Sequence, residues 1–299
     1  MTRLPHAIPY QGSKRNLAPL IGPYLPAGIG RFYEPFAGSA AMSIYAAHHR
    51  KAASFVIADS LAPIVDLWRA IVLRPDDVAS KYADLWHGQE PGDLGYFNQV
   101  RERYNEHGDP VELLYLICRC VKNAVRFNSI GRFTQSVDKR RLGMKPAKMK
   151  ASVSAISHML RGRVEFRTGD WLETTSDATP DDFIYMDPPY VGTSIGRDKR
   201  YHAQLTQGQV IAGLETILGR GLRFALSYDG MTGEKTYSDP LPERLGLTHL
   251  HIHAGVSSQA TLAGKSEDTI ESLYLTPGLG EPVVGVIRRH KPEQERLFA

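Results

Sequence analysis

Residues 54–59, Ser-Phe-Val-Ile-Ala-Asp, form an apolar run with no polar alternation. A run that short and continuous reads as a strand buried on both faces, the kind found in parallel sheets covered by helices. Its surroundings fit that reading. A short strand over 32–35 ends at a glycine turn, residues 40–49 read as a helix, and residues 61–73 carry apolar side chains at helical spacing. Strand, helix, strand, helix with buried strands predicts a parallel α/β sheet.

The strand signal then stops. Residues 75–86, 94–103 and 110–125 read as helices, followed by a polar, basic loop that carries aromatics. The α/β pattern resumes with strands over 164–167, 182–186 and 222–227 and a helix over 207–218. Two further strands, 247–253 and 269–275, read as a closing antiparallel hairpin around a hydroxyl- and glycine-rich loop. The expected organisation is one α/β domain, residues 1–73 and 151–299, split by a helical module over 74–150.

Composition excludes several classes. With 42% hydrophobic and 23% charged residues the chain is globular rather than disordered. No apolar run approaches 18 residues, so no membrane partner is expected, and the start lacks an apolar signal core. Two cysteines, Cys118 and Cys120, are too few for a disulfide scaffold. A reducing, cytoplasmic-type compartment is expected. Net charge is only +4, but residues 119–150 hold ten basic residues against one acid, leaving −5 elsewhere. Such asymmetry points to a polyanion.

Three segments carry chemistry. Asp187-Pro188-Pro189-Tyr190 follows an apolar strand, and strand carboxyl ends face the ligand crevice of an open α/β sheet. The two prolines remove backbone donors and stiffen the turn. What remains is the Asp187 carboxylate and the Pro188 carbonyl as acceptors beside the Tyr190 ring, a set that suits a planar, amino-bearing base. Glu34-Pro35-Phe36-Ala37-Gly38-Ser39-Ala40 is a turn in which Gly38 permits close approach to a ligand. Asp59 ends the next strand, where an acid can hold ribose hydroxyls. The GxGxxG spacing of a dinucleotide site is absent. Tyr10-Gln11-Gly12-Ser13-Lys14-Arg15 is a polar glycine turn without the second glycine of a Walker loop. Lys14 is there available to a ligand carboxylate. His251 and His253 share a strand face without partners at metal-ligand spacing, so no metal is expected.

These segments, in this order, resemble Dam-type adenine-specific DNA methyltransferases of the alpha order. The resemblance covers residues 10–16, 32–43, 57–59, 168–171, 183–190, 224–228 and 271–276, with the centre only loosely matched. It implies a Rossmann-like S-adenosylmethionine-dependent methyltransferase sheet with an inserted, mainly helical target-recognition domain. S-adenosylmethionine would be the cofactor and S-adenosylhomocysteine the product. Tyr10, Gly12 and Lys14 would contact the methionine part, Phe36 and Gly38 would line the pocket, Asp59 would hold the ribose, and Asp170 would accept from the adenine amino group. The family's turn usually has a second glycine where this chain has Ala40, a change tolerable while φ stays negative.

The implied reaction is methyl transfer to the N6 amino group of an adenine flipped out of a short, specific duplex DNA sequence. Asp187 and the Pro188 carbonyl would accept from the amine, Pro189 would stiffen the turn, and Tyr190 would stack on the base. Arg126, Asn128, Arg132, Lys139, Arg140 and Arg141 in the basic stretch are candidates for bases and phosphates, with an aromatic there as a wedge. Arg197, Lys199 and Arg200 sit in an expected flap. Alternatives in the same pocket logic are an RNA adenine or cytosine-N4 methyltransferase. A non-catalytic DNA-binding protein on the same scaffold is the alternative of another class. A monomer is expected, and any restriction endonuclease would be a separate chain.

Overall fold

The structure, a computed structural model, describes residues 4–90, 94–189, 205–233, 235–236, 239–256, 268–279 and 285–288. In chain order the elements are α1 (Ala18–Ile21), β1 (Ile29–Glu34), α2 (Ala41–His48), β2 (Ala52–Asp59), α3 (Ala62–Leu73), α4 (Pro75–His87), α5 (Gly95–His107) and α6 (Pro110–Arg119). Then follow α7 (Pro146–Leu160), β3 (Val164–Thr168), α8 (Trp171–Thr174), β4 (Phe183–Met186), α9 (Gln207–Gly219), β5 (Arg223–Thr232) and β6 (Lys235–Thr236). The last three are β7 (Thr248–Val256), β8 (Asp268–Leu275) and β9 (Val286–Ile287). Among the described residues no helix is long and apolar enough to cross a membrane.

The strands form one sheet in the order β3-β2-β1-β4-β5-β8-β7-β9, with β6 paired to β5. From β3 to β5 every pairing is parallel, and β8 runs antiparallel to both β5 and β7. The α/β, Rossmann-like architecture and the closing hairpin are therefore as the sequence predicts. The chain moves outward from β1 to β2 and β3, then returns to lay β4 on the other side of β1. That reversal opens a crevice at the carboxyl ends of β1 and β4, the standard ligand position in such sheets. The glycine turn leaves β1 and the Asp-Pro-Pro segment leaves β4 at that edge.

Period-two alternation feeds two cores. Phe32, Phe55, Ile57, Phe183 and Tyr185 enter one, which α1 to α7 cover. Tyr33, Val56, Ala58, Ile184 and Met186 enter the other, which α8 and α9 cover. Helices α4, α5 and α6 thus join the same apolar cluster as the sheet. The helix expected over 110–125 ends early, at Arg119. Cys120 is extended and bridges antiparallel to Val137, and Lys122 and Asn123 then take left-handed φ of 59° and 52°. Helix α7 was not expected, and it runs across position 150. Its Ser157 hydroxyl donates to the Val72 carbonyl at 2.6 Å, tying it to the end of α3.

Helix α9 lies close to α8, and a Cβ on Gly213 would fall 2.1 Å from the Trp171 ring. Alanine in a helix interior ordinarily gains about 1 kcal/mol over glycine. Overpacking against a buried indole costs about 1–3 kcal/mol, so the clash wins. Gly213→Ala is expected to lower the melting temperature by a few degrees in a circular dichroism melt; a rise would show that Trp171 yields freely.

Candidate active site

The glycine turn is fixed from several sides. Gly38 has φ 43°, a left-handed conformation that glycine adopts without strain, and a Cβ there would also press on the Tyr10 ring at 3.1 Å. Its N–H donates to Asp59 Oδ2 at 3.0 Å, and its carbonyl accepts from the Trp68 indole at 2.9 Å. Asp59 Oδ1 takes the Leu61 N–H at 3.0 Å. Burial raises the Asp59 carboxyl above its usual range, against those backbone hydrogen bonds. Asp59 thus fastens the turn as well as ending β2. Ala40 departs from the expectation of negative φ. It sits fully buried at φ 45°, ψ 40°, in the left-handed region.

The amino-terminal segment packs against this turn. Gly12 has φ 83°, and Ser13 N–H donates to the Tyr10 carbonyl at 3.1 Å. The Ser13 and Ser39 hydroxyls share a hydrogen bond of 2.7 Å. Phe36 packs on Trp171 with ring centroids 5.9 Å apart. Asp170 caps α8 through Leu172 N–H at 2.8 Å and is otherwise exposed, and Gly169 N–H donates to the Asp59 carbonyl at 3.2 Å. Tyr10, Phe36, Gly38, Asp59 and Asp170 therefore border one edge of the sheet.

Beside them, Asp187 at the end of β4 and Pro189 are partly exposed, and Pro188 between them in sequence is buried. The expected ligand carboxylate for Lys14 has counterparts in the chain itself. Lys14, only 4% exposed, places Nζ 2.8 Å from Asp187 Oδ1 and 3.3 Å from Glu271 Oε2. Tyr185, on β4, hydrogen-bonds the Ser227 hydroxyl at 2.8 Å, and burial drives its phenol well above the usual range. Among the described residues no cluster of three or more His, Cys, Asp or Glu could hold a metal.

Glu34 carried no role in the sequence reading. Its buried carboxylate accepts from Met42 N–H at 3.3 Å and Ser43 N–H at 2.7 Å, at the start of α2. Ala40 offers no side-chain cap, so Glu34 satisfies donors that a capping residue would otherwise take. Trp68 was missed as a lone residue in an ordinary helix pattern, and Glu34 and Glu271, though inside the glycine-turn and 271–276 segments, carried no role of their own. What identifies them is a nonlocal contact.

The basic stretch folds into a hairpin. Phe127 pairs with Phe133, and Asn128 N–H donates to the Arg132 carbonyl at 2.9 Å. Asn128 Oδ1 accepts from Ile130 and Arg132 N–H groups at 3.1 and 2.9 Å, so its acceptor belongs to the turn and only its amide nitrogen is left for a base. The aromatic wedge is not found: Phe133 is buried, and Phe127 packs on it and on Tyr104. The exposed apolar residue at the tip is Ile130, 76% exposed. Arg126 is partly buried, and Arg132 pairs with Glu102. Arg141 donates to Asp138 Oδ2 at 2.9 Å, whereas Lys139 and Arg140 are exposed, the Arg140 side chain by 86%. Tyr190, Arg197, Lys199 and Arg200, and the loop over 257–267, lie outside the described residues.

The family described as D12 class N6 adenine-specific DNA methyltransferase matches residues 10–231. Modification methylase StsI of Streptococcus sanguinis is 23% identical over 281 residues, 89% of this chain and 42% of its own length. Type II methyltransferase M1.LlaDCHI of Lactococcus lactis subsp. cremoris is 24% identical over 194 residues, 62% of this chain and 65% of its own. The chain thus spans about half to two thirds of the relatives it matches. A chain from a solved type I R-M system, 15% identical, covers 71% of this chain and 45% of its own at a TM-score of 0.21, too slight to bear on the fold.

Burial lifts the Glu34 carboxyl from 4.5 to about 7, with hydrogen bonds from Ser43 and Met42 opposing and nearby Asp187 adding to the rise. Between these two values the folded chain binds more protons than the unfolded one, so stability falls as pH rises through that window and is level above it. Glu34→Gln lacks the titration and is expected to gain up to about 3 kcal/mol on the wild type between pH 4.5 and 8. Urea denaturation of both proteins across that range is the measurement, and a constant difference would contradict the assignment.

Proposed function

The chain belongs to the D12 class N6 adenine-specific DNA methyltransferase family, and on that premise we propose that it methylates the exocyclic N6 amino group of an adenine turned out of duplex DNA, within a short specific sequence. The observation that carries this reading is the state of Asp187. Its carboxylate, at the crevice edge beside the glycine turn, already receives an N–H donor from Lys14 at 2.8 Å. An amino group on a planar base is a donor of the same kind.

The crevice fits S-adenosylmethionine by its donor set. Asp59 and Asp170 supply acceptors for hydroxyls and an amine, Phe36 an apolar plane, and the φ 43° turn at Gly38 a close backbone approach. Tyr10 and Gly12 would hold the methionine part, while the Lys14 ammonium, expected there too, is engaged by Asp187 and Glu271. When bound, that cofactor supplies an electrophilic methyl group.

The chain's own part is to prepare the amine. Asp187 and the Pro188 carbonyl accept from its two N–H groups, which favours a pyramidal nitrogen with its lone pair directed at the methyl carbon. Pro188 and Pro189 hold that turn rigid, and Tyr190 would stack on the base. Positioning and fixed dipoles supply the rate, and no covalent enzyme intermediate is needed. Burial pushes the Cys118 and Cys120 thiols up to about 11 and about 12, which leaves them neutral near pH 7.

DNA would lie along the hairpin and the 138–141 loop, reached by Arg126, Arg132, Lys139, Arg140 and Arg141, with Arg197, Lys199 and Arg200 as further candidates. The relatives' names, a modification methylase and a type II methyltransferase, support a modification role, in which any endonuclease would be a separate chain.

Two measurements test this reading. Incubation with labelled S-adenosylmethionine and duplex DNA, duplex RNA or no nucleic acid is expected to label DNA alone, as N6-methyladenine, and Asp187→Ala is expected to abolish labelling. Transfer only to RNA, label on cytosine N4, or an active Asp187→Ala protein would each overturn it. In salt titrations of DNA binding, the Lys139→Ala, Arg140→Ala double variant is expected to flatten the log–log slope by about 1–2, as two lost phosphate contacts would. An unchanged slope would remove both residues from the DNA face.

A further inference from the structure

Glu271 opens the matched segment 271–276, but no step described above uses it. It lies on β8, opposite Gly230 on β5 and Ile252 on β7. Strand alternation puts residues 271, 273 and 275 on one face, and Leu273 and Leu275 enter the core that also holds Ala7, Ile8, Leu17 and Ala18 of the amino-terminal segment. The same alternation turns Glu271 toward Lys14. Its Oε2 is buried 3.3 Å from Lys14 Nζ and makes no well-aligned hydrogen bond. A Cβ on Gly230 would fall 2.7 Å from the Ile270 carbonyl, so glycine is what lets the two strands close there.

One ammonium thus faces two carboxylates, and the two have different duties. For Asp187 to accept from a base amine, its Oδ1 must give up part of its hold on Lys14. A nearly buried ammonium without an anion is costly, so the exchange is feasible only if another anion stays beside Lys14. We propose that Glu271 is a positioning residue that retains the Lys14 ammonium while Asp187 turns to the target amine. This inference rests on the methyltransferase reading above and adds to it a residue that acts through Lys14 rather than on the base.

The role predicts a particular kinetic split. Glu271→Gln keeps the shape and removes the charge, so of these two carboxylates Asp187 alone still balances Lys14 and is held against the incoming amine. With unmethylated genomic DNA and saturating S-adenosylmethionine, kcat is expected to fall about ten- to hundredfold, the range expected from one poorly compensated buried group. The DNA KM and the S-adenosylmethionine Kd from calorimetry are expected to stay within about threefold.

A cycle with Lys14→Met supplies a readout without turnover. That variant leaves two like charges close together, and adding Glu271→Gln relieves them, so the double variant is expected to melt above Lys14→Met alone. Wild-type kcat in Glu271→Gln, a fall in kcat matched by equal losses of cofactor affinity and melting temperature, or additive melting shifts would each overturn the proposal. If the wild type methylates no DNA, the reading of function fails by itself. The charge-holding role then stands or falls on the melting cycle alone.

Discussion

An ammonium that is 4% exposed needs anions, and the three groups that meet at Lys14 come from widely separated parts of the chain. At about 3 Å and an effective dielectric constant near 20, each contact is worth roughly 5 kcal/mol of attraction. Desolvation of the partners removes most of that gain. The net contribution to stability is therefore small, but the cost of losing any one member is large. That asymmetry makes the cluster a constraint on shape: the amino-terminal segment, the end of β4 and the start of β8 are held in one arrangement. With two carboxylates against one ammonium the cluster carries a net negative charge at the crevice edge, where an amine or a sulfonium would arrive.

The glycine turn next to it is held by other means. Asp59 and Glu34, each carrying a carboxyl raised by burial, direct their oxygens at backbone N–H groups rather than at cations. A left-handed alanine costs about 1–2 kcal/mol. Ala40 therefore persists only because its surroundings over-determine it. The Glu34 carboxylate on the first turn of α2 and the Asp59 and Trp68 bonds to Gly38 supply that determination.

Where the sequence was legible, the signal was local. Residues 54–59 announce a strand by composition alone, and Asp187 is found by its place after such a strand. Helix α7 was also legible in principle: its buried Met149, Val153, Ile156 and Leu160 follow helical spacing after Pro146. The cluster of lysines around its start hid it as loop. The early end of α6 was not legible, because Cys120 leaves the helix to bridge Val137, a partner seventeen positions on. Glu271 reads as the polar end of a strand until the register of β8 against β5 sets it facing Lys14.

The same distinction sharpens the charge argument. Of the ten basic residues over 119–150, Arg119 is buried and donates to Gln89, to the Asp138 carbonyl and to the Arg141 carbonyl. Arg141 is held by Asp138 and Asn123, and the Asn123 carbonyl in turn accepts from Gln11 N–H, in the segment that bears Lys14. These cations build the loop and join it to the crevice. Lys145, Lys148 and Lys150 are different: they are exposed, stand at and just beyond the start of α7, and have no acid in the first turn to balance them. Lys145 and Lys148 each oppose the helix dipole by about 0.3–1 kcal/mol. A fold gains nothing within itself from that placement, whereas a polyanion laid across the helix start would reverse its sign. The local +9 therefore includes cations that build the loop, Arg119 and Arg141, and others, Lys145 and Lys148, whose placement an external anion would make favourable.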